Sequence, residues 1–256
     1  MTSELVYLCL AAFAAGFIDA VVGGGGLIQT PAALIILPNY AVATVIGTLK
    51  IPSLSGTTFA AFQYTKKVSI NWKLLGIMMV VAGISAYGGS VLLSKMHIDF
   101  MKPLLLIILS LVAIYSYSKK NFGSHTNKDH TAQEQLIYGL LMSVVIGFYD
   151  GFIGPGAGSF LVLDFITLLG FDFLKGSANA KLVNMATNLG SIIFFLANGR
   201  ILFFIAIPMA VCNAAGGALG AKLAILKGNK FIRIFFLVVV IGTIARFAYD
   251  VFFKHS

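Results

Sequence analysis

Apolar residues run through this chain in long blocks, broken by glycine clusters and short lysine-bearing loops. A bilayer core takes about 20 apolar residues in helical form, so block length counts the crossings. Full spans are predicted over residues 5–22, 72–93, 103–118, 136–151, 201–223 and 232–253. Residues 27–37 are too few to cross untilted, because at about 1.5 Å per residue they cover roughly half the hydrocarbon thickness. Residues 41–64 are long enough, but Pro52 stands in the middle, removing a backbone donor and crowding the preceding turn, so this stretch reads as less regular. Residues 160–169 and 177–197 repeat the same order, short then long. The one markedly polar stretch, 119–135, reads as a linker between an N-terminal transmembrane repeat, 1–118, and a C-terminal one, 136–256.

The two halves resemble each other. Gly16-Phe17-Ile18-Asp19 reappears as Gly147-Phe148-Tyr149-Asp150, and each is followed by a glycine cluster, Gly23 to Gly26 in one half and Gly154-Pro155-Gly156-Ala157-Gly158 in the other. The spacing is 131 positions, and it also carries Lys50 onto Lys181, Phe100 onto Phe231 and Lys102 onto Arg233. Chance similarity between apolar helices can match a Gly-Phe pair, but rarely an acid and a lysine at one fixed spacing, so the halves read as a duplication.

Composition narrows the class. The 256 residues are 59% hydrophobic and only 11% charged, against about 25% charged in a soluble domain, and the mean hydropathy is +0.94. The apolar blocks extend from end to end, so no appended water-soluble domain is expected. Glu4, with no basic residue before the first block, argues for a retained segment over a cleaved signal. The net charge of +9 would suggest nucleic acid in a soluble protein, but here the basic residues sit between apolar blocks, where they orient a membrane protein. Cys9 and Cys212 lie inside apolar stretches and read as packing residues. His97, His125, His130 and His255 have no convincing ligand spacing, and no Ser/His/Asp or His/Glu arrangement lies at membrane depth. The expectation is therefore a non-enzymatic, multi-pass protein of the cytoplasmic membrane without metal or cofactor. Its partners are a small solute and lipid, not nucleic acid, and a homo-oligomer is left open.

Loop charge gives a relative orientation. Lys66, Lys67 and Lys73 fall in one loop, Lys119, Lys120 and Lys128 in the linker, and Lys222, Lys227, Lys230 and Arg233 in another, while the alternate connections hold Lys95 with Lys102, then Arg200, then Lys254. If the richer set is cytoplasmic, each half crosses an odd number of times and the two repeats are inverted, with both termini away from the cytoplasm.

The glycine clusters and the buried charges carry the chemistry. An unpaired backbone amide in hydrocarbon costs several kcal/mol, so non-helical backbone at membrane depth survives only under protein or beside a water-filled cavity. Four successive glycines weaken a continuous helix by up to about 1 kcal/mol each relative to alanine, so a break is expected at Gly23, Gly24, Gly25 and Gly26. The next short helix then starts with exposed N–H groups and a positive dipole end that suits an anion. The same holds at Gly154, Gly156 and Gly158, where Ser159 could cap the following helix. Close helix packing is the plainer reading of glycine in membrane segments and suffices for an isolated pair such as Gly88-Gly89.

Charges inside spans are paired, neutralised or turned to a cavity. Asp19, Asp150, Lys50 and Lys181 form the duplicated set. Two symmetry-related lysines beside two broken helices would make a positive site for a small anion, with the aspartates organising the lysines or carrying protons; the alternative is a pair of structural ion pairs. Asn179, Asn184 and Asn188 lie where Thr48, Ser53 and Thr57 stand in the first half, so amides and hydroxyls line the same positions.

At these residues the chain resembles the TauE/SafE sulfite-exporter family, carried by GFIDAVVGGGG, ALIILPNYAVATVIGTLK, GFYDGFIGPGAGSF and GSANAKLVNMATNLG over essentially residues 13–254. The resemblance implies a permease for small sulfur-containing anions such as sulfite or organosulfonates. The combined expectation is an all-α polytopic membrane protein with two inverted repeats, whose helices are broken or re-entrant at the midplane. The anion would be held between the glycine breaks by backbone N–H groups, Lys50, Lys181, Asn179, Asn184 and Asn188, with Asp19 and Asp150 coupling to protons. A passive anion channel would use the same residues.

Overall fold

The computed structural model describes residues 2–96 and 131–253, with side chains as far as residue 228. The predicted span 103–118, most of the linker and all four histidines lie outside the described residues, as do Lys102, Lys119, Lys120, Lys128 and Lys254. Among the described residues the chain is entirely helical: α1 Thr2–Val22, α2 Gly26–Ile36, α3 Val42–Thr65, α4 Trp72–Lys95, α5 Ala132–Phe152, α6 Ala157–Thr167, α7 Phe173–Ala197 and α8 Phe203–Phe253. Gly228, at φ 70° and ψ −168°, splits α8 into two helical segments. Five of these are long and apolar enough to cross a bilayer, namely α1, α4, α5, α7 and α8 up to Gly228.

Helix boundaries follow local chemistry where side chains cap them. Asn71 accepts the Leu74 amide at the start of α4, Thr131 and Glu134 form a reciprocal capping box at α5, and Asp172 accepts the Lys175 amide at α7. The short helices differ, since α2 and α6 start on Gly25 and Gly156 with no side-chain cap. Ser159 therefore does not cap α6 as the sequence suggested. It sits inside the first turn and donates to the Val22 carbonyl at 3.1 Å, tying the second break to the first. Pro52 does not interrupt α3 either, as the helix runs unbroken from Val42 to Thr65. Buried packing on both sides of a membrane helix compensates for a single lost donor, which is why proline is tolerated there.

Element positions recur at the 131-position spacing. Both α2 and α6 have 11 residues, at positions 131 apart; α3 and α7 have 24 and 25 residues. Packing repeats as well. A side chain at Gly89 would overlap the Phe148 carbonyl of α5, and one at Gly220 would overlap the Phe17 carbonyl of α1. Thus α4 lies against the first helix of the second half, and α8 against the first helix of the first half, backbone to backbone, through small residues. Outward positions are apolar, with Ile84 70% exposed and Val145 65%, as expected for a surface that meets lipid.

The ends of the bundle are distinct. Glu4, Leu5, the α2–α3 loop and Leu202 to Ile205 surround one cavity, so α1, α3 and α8 begin at a common end. At the other end Val68, Ile70, Leu169, Phe173 and Ile225 join one apolar cluster, and Ala132, Gln133 and Leu136 face Asn71, Lys73 and Leu74 across a second cavity. Hence α1 starts at the first end and α5 at the second, and α2 turns back to the end from which α1 came. Lys66, Lys67, Lys73 and Lys175 belong to the second end.

Candidate functional site at the two helix breaks

The interruptions predicted at the glycine clusters are real and they touch. Gly23 follows α1 at φ +85°, Gly154 and Gly156 have φ +90° and +84°, and a Cβ at Gly158 would lie 2.5 Å from the Gly23 oxygen. Gly26 abuts Pro155, whose carbonyl accepts the Tyr149 hydroxyl at 2.6 Å. The starts of α2 and α6, with their leading N–H groups, therefore meet at the centre of the bundle.

Each break is closed by a lysine from the other half. Lys50 Nζ donates to the Asp150 main-chain oxygen at 2.6 Å and to its Oδ1 at 2.9 Å. Lys181 Nζ donates to the Asp19 main-chain oxygen and to its Oδ2 at 2.9 Å. Both carbonyls belong to the last turn of a broken helix, where the dipole is negative and an ammonium group is a natural cap; the Asp19 oxygen also accepts the Gly23 amide at 2.7 Å. The lysines are thus not free cations; both ion pairs left open by the sequence are formed, and the four formal charges cancel.

The pairs are not equivalent. Asp150 Oδ2 also accepts from Asn184 Nδ2 at 3.0 Å and from the Thr187 hydroxyl, and its side chain is 5% exposed. Among the described residues Asp19 Oδ2 receives, besides its lysine, a long 3.3 Å contact from Thr57, and its side chain is 18% exposed. Asn184 Oδ1 accepts from Thr57 and from Asn188 Nδ2, both at 3.4 Å, so one amide links the surroundings of both aspartates.

A cavity of about 50 Å³ lies between the breaks. At the ~10–15 Å³ that one water requires, it has room for roughly three to five waters, or for the few heavy atoms of a small oxyanion in their place. Gly23, Gly25, Gly26, Gly154, Gly156 and Gly158 line it, with Asp19, Lys50, Asp150, Asn184 and Asn188. Three predicted residues do not. Gly24 faces Ser159 and Leu27, Lys181 is buried behind Asp19, and Asn179 Nδ2 turns back to the Lys175 carbonyl of its own helix at 2.7 Å.

Gln29, Thr30 and Asn213 line the cavity without having been singled out from the sequence. Asn213 Nδ2 donates to Gln29 Oε1 at 2.8 Å, and Gln29 Nε2 donates to the Leu49 carbonyl at 3.2 Å, so α8, α2 and α3 are joined through buried amides. The repeat spacing places Phe160 opposite Gln29 and Ala82 opposite Asn213, so a search for duplicated polar residues passes over both. A buried amide in an otherwise apolar block was the signal available.

The family described as "Sulfite exporter TauE/SafE" matches residues 8–247. The chain belongs to the TauE/SafE family. Relatives of similar length agree. A Haemophilus influenzae protein is 32% identical over 96% of this chain and 95% of its own, a Sinorhizobium sp protein 34% over 96% and 93%, and YfcA of Escherichia coli strain K12 31% over 95% and 89%. All three bear the name "probable membrane transporter protein". No solved structure matches the chain. TauE/SafE membership, with five apolar helices of spanning length, makes this a multi-pass membrane transporter. The match spans both helix breaks and the two lysine helices that close them.

Proposed function

We propose that the protein is a secondary carrier of small anions of the sulfite and sulfonate class, which enter between the two helix breaks and are coupled to protons. The observation that carries this reading is the cavity where the N-terminal ends of α2 and α6 converge beside Lys50. Helix starts and an ammonium group attract negative charge, and amides supply further N–H donors to oxyanion oxygens. The halves lie inverted across the bilayer, supported by α1 and α5 starting from opposite ends, and the lysine-rich end is cytoplasmic by the charge rule. The contact of the breaks then falls near the midplane.

Proton coupling follows from charge balance. Lys50 and Lys181 are matched by Asp19 and Asp150, so an entering anion brings an uncompensated charge. A proton on Asp19, the more exposed and less bonded carboxylate, restores the balance and releases Lys181 as a net positive charge behind the cavity.

The test is uptake by purified protein in sealed vesicles, with methanesulfonate as the probe because its own charge is constant over the working pH range. Internal unlabelled methanesulfonate accelerates entry of labelled anion, and an acidic exterior accelerates it further. In Asp19→Asn the pH gradient no longer changes the rate. Ion flow at channel rates without counterflow would replace the carrier by a pore, and an unchanged gradient response in the variant would reject the proton role of Asp19.

The amide relay sets affinity. Asn213→Ala frees Gln29, and with about 1 kcal/mol lost for one buried hydrogen bond the half-saturating anion concentration rises roughly fivefold with little change in maximal rate. Equal saturation curves for the variant and the parent would remove the relay from the binding site.

A further inference from the structure

We infer that the chain holds a second anion half-site around Lys181, closed in this structure, which opens toward the lysine-rich end when the present cavity closes. The inference rests on the carrier reading above and names the residues of its other state.

The open cavity is one-sided. Beyond Lys50 and the breaks it is lined by Ala15, Gln29, Thr30, Ile46 and Leu49, which lie toward the end where α1 and α3 begin. Moved by 131 positions these become Ile146, Phe160, Leu161, Ser177 and Ala180. Ile146, Leu161 and Ala180 belong to the buried apolar cluster at the lysine-rich end, and Phe160 packs against it. The Phe160 ring meets Tyr149 edge-on at 5.6 Å between centroids, filling the place that Gln29 leaves to the cavity in the other half. The route from Lys181 to that end is shut by apolar side chains.

The closed half nevertheless keeps the chemistry of a site. Lys181 grips a main-chain carbonyl and a carboxylate just as Lys50 does, and Ser177 introduces a hydroxyl where the open half has Ile46. Ser177 Oγ is fully buried and finds no hydrogen-bond partner among the described residues, one of two such hydroxyls, the other being Ser191 on the same helix. An unpaired buried hydroxyl destabilises the state that contains it, and a state that wets the α6–α7 face relieves it. Two halves built alike and open at one end only are the two sides of one equilibrium, in which the helices on either side of the breaks exchange closed and open packing.

The test uses protein in sealed vesicles of both orientations, with Cys9 and Cys212 replaced by alanine. Single variants Ser53→Cys, at the open cavity, and Ser177→Cys, with Leu161→Cys as a second reporter on the closed side, are treated with a membrane-impermeant methanethiosulfonate. Ser53→Cys reacts only from the end where α1 begins. Ser177→Cys and Leu161→Cys react only from the lysine-rich end. In the double variants Ser53→Cys/Ser177→Cys and Ser53→Cys/Leu161→Cys, a bulky adduct placed first on Ser53→Cys wedges the open side, and reaction at the second cysteine slows at least about tenfold. Methanesulfonate uptake by the same vesicles separates the two readings. If uptake persists while both closed-side cysteines stay inert, or react at a rate indifferent to the first adduct, the second half-site is refuted and the carrier stands. If methanesulfonate does not move, the carrier reading fails instead.

Discussion

Lys50→Met is expected to lower anion flux about thirtyfold or more, since removing one member of a buried, hydrogen-bonded charge pair costs roughly 2–5 kcal/mol of binding. The same substitution leaves Asp150 and its main-chain carbonyl without an ammonium in a nearly closed site, which lowers the stability of the folded protein by about 3–5 kcal/mol. Flux loss alone would not separate the two roles, because a purely structural pair also gives a dead variant when broken. The double variant Lys50→Met/Asp150→Leu separates them. With both charges gone, most of the stability returns, as expected where apolar groups replace a buried pair. Flux does not return, because the anion has lost the ammonium group facing the cavity. Recovery of both stability and methanesulfonate uptake in the double variant would assign the pair to structure alone. Thermal melting in detergent reads the first quantity and vesicle uptake the second.

Lys181→Met sharpens the contrast. Its side chain is 1% exposed, but the carboxylate it abandons, at 18% against 5% for Asp150, is the better solvated of the two aspartates. Flux suffers as with Lys50, while the stability loss is smaller because Asp19, at 18% exposure, retains some access to water.

What was legible in the sequence was whatever the duplication wrote twice. Asp19 with Asp150, Lys50 with Lys181 and the two glycine clusters stand at one spacing, and the structure gathers them at one junction. The exchange of partners was not legible. Nothing in the order of residues says whether Lys50 meets Asp19 of its own half or Asp150 of the other; that depends on which helix ends face each other. Gln29 and Asn213 were missed for a related reason, as each occurs in one half only and their bond joins α2 to α8, 184 positions apart. Asn179 is the reverse case. Its spacing placed it on the same helix as Asn184 and Asn188, but it lies nearer the start of α7 and spends its donor on Lys175. Pro52 was read from its local penalty, whereas α3, packed against α7 and α8, keeps its path through the proline.

Gly23→Ala is expected to be as damaging as the loss of a lysine, by another route. At φ +85° an alanine is strained, and its Cβ would be driven into the backbone of Gly158, which cannot yield as a flexible side chain can. Together these amount to roughly 2–4 kcal/mol, combining about 1–3 kcal/mol of backbone strain with the separation of the two breaks. Relief requires the starts of α2 and α6 to move apart, breaking the Ser159 bond to Val22 and spoiling the convergence that makes the cavity. Gly24→Ala is the control. The nearest atom to its Cβ would be Ser159 Oγ at 3.4 Å, an ordinary contact, so melting temperature and uptake stay close to those of the parent. Adjacent glycines in one cluster then separate by function. If the chain merely needed flexible backbone anywhere in Gly23 to Gly26, the two variants would behave alike. A junction built on direct contact between the breaks demands that they differ, in folded yield and in flux together.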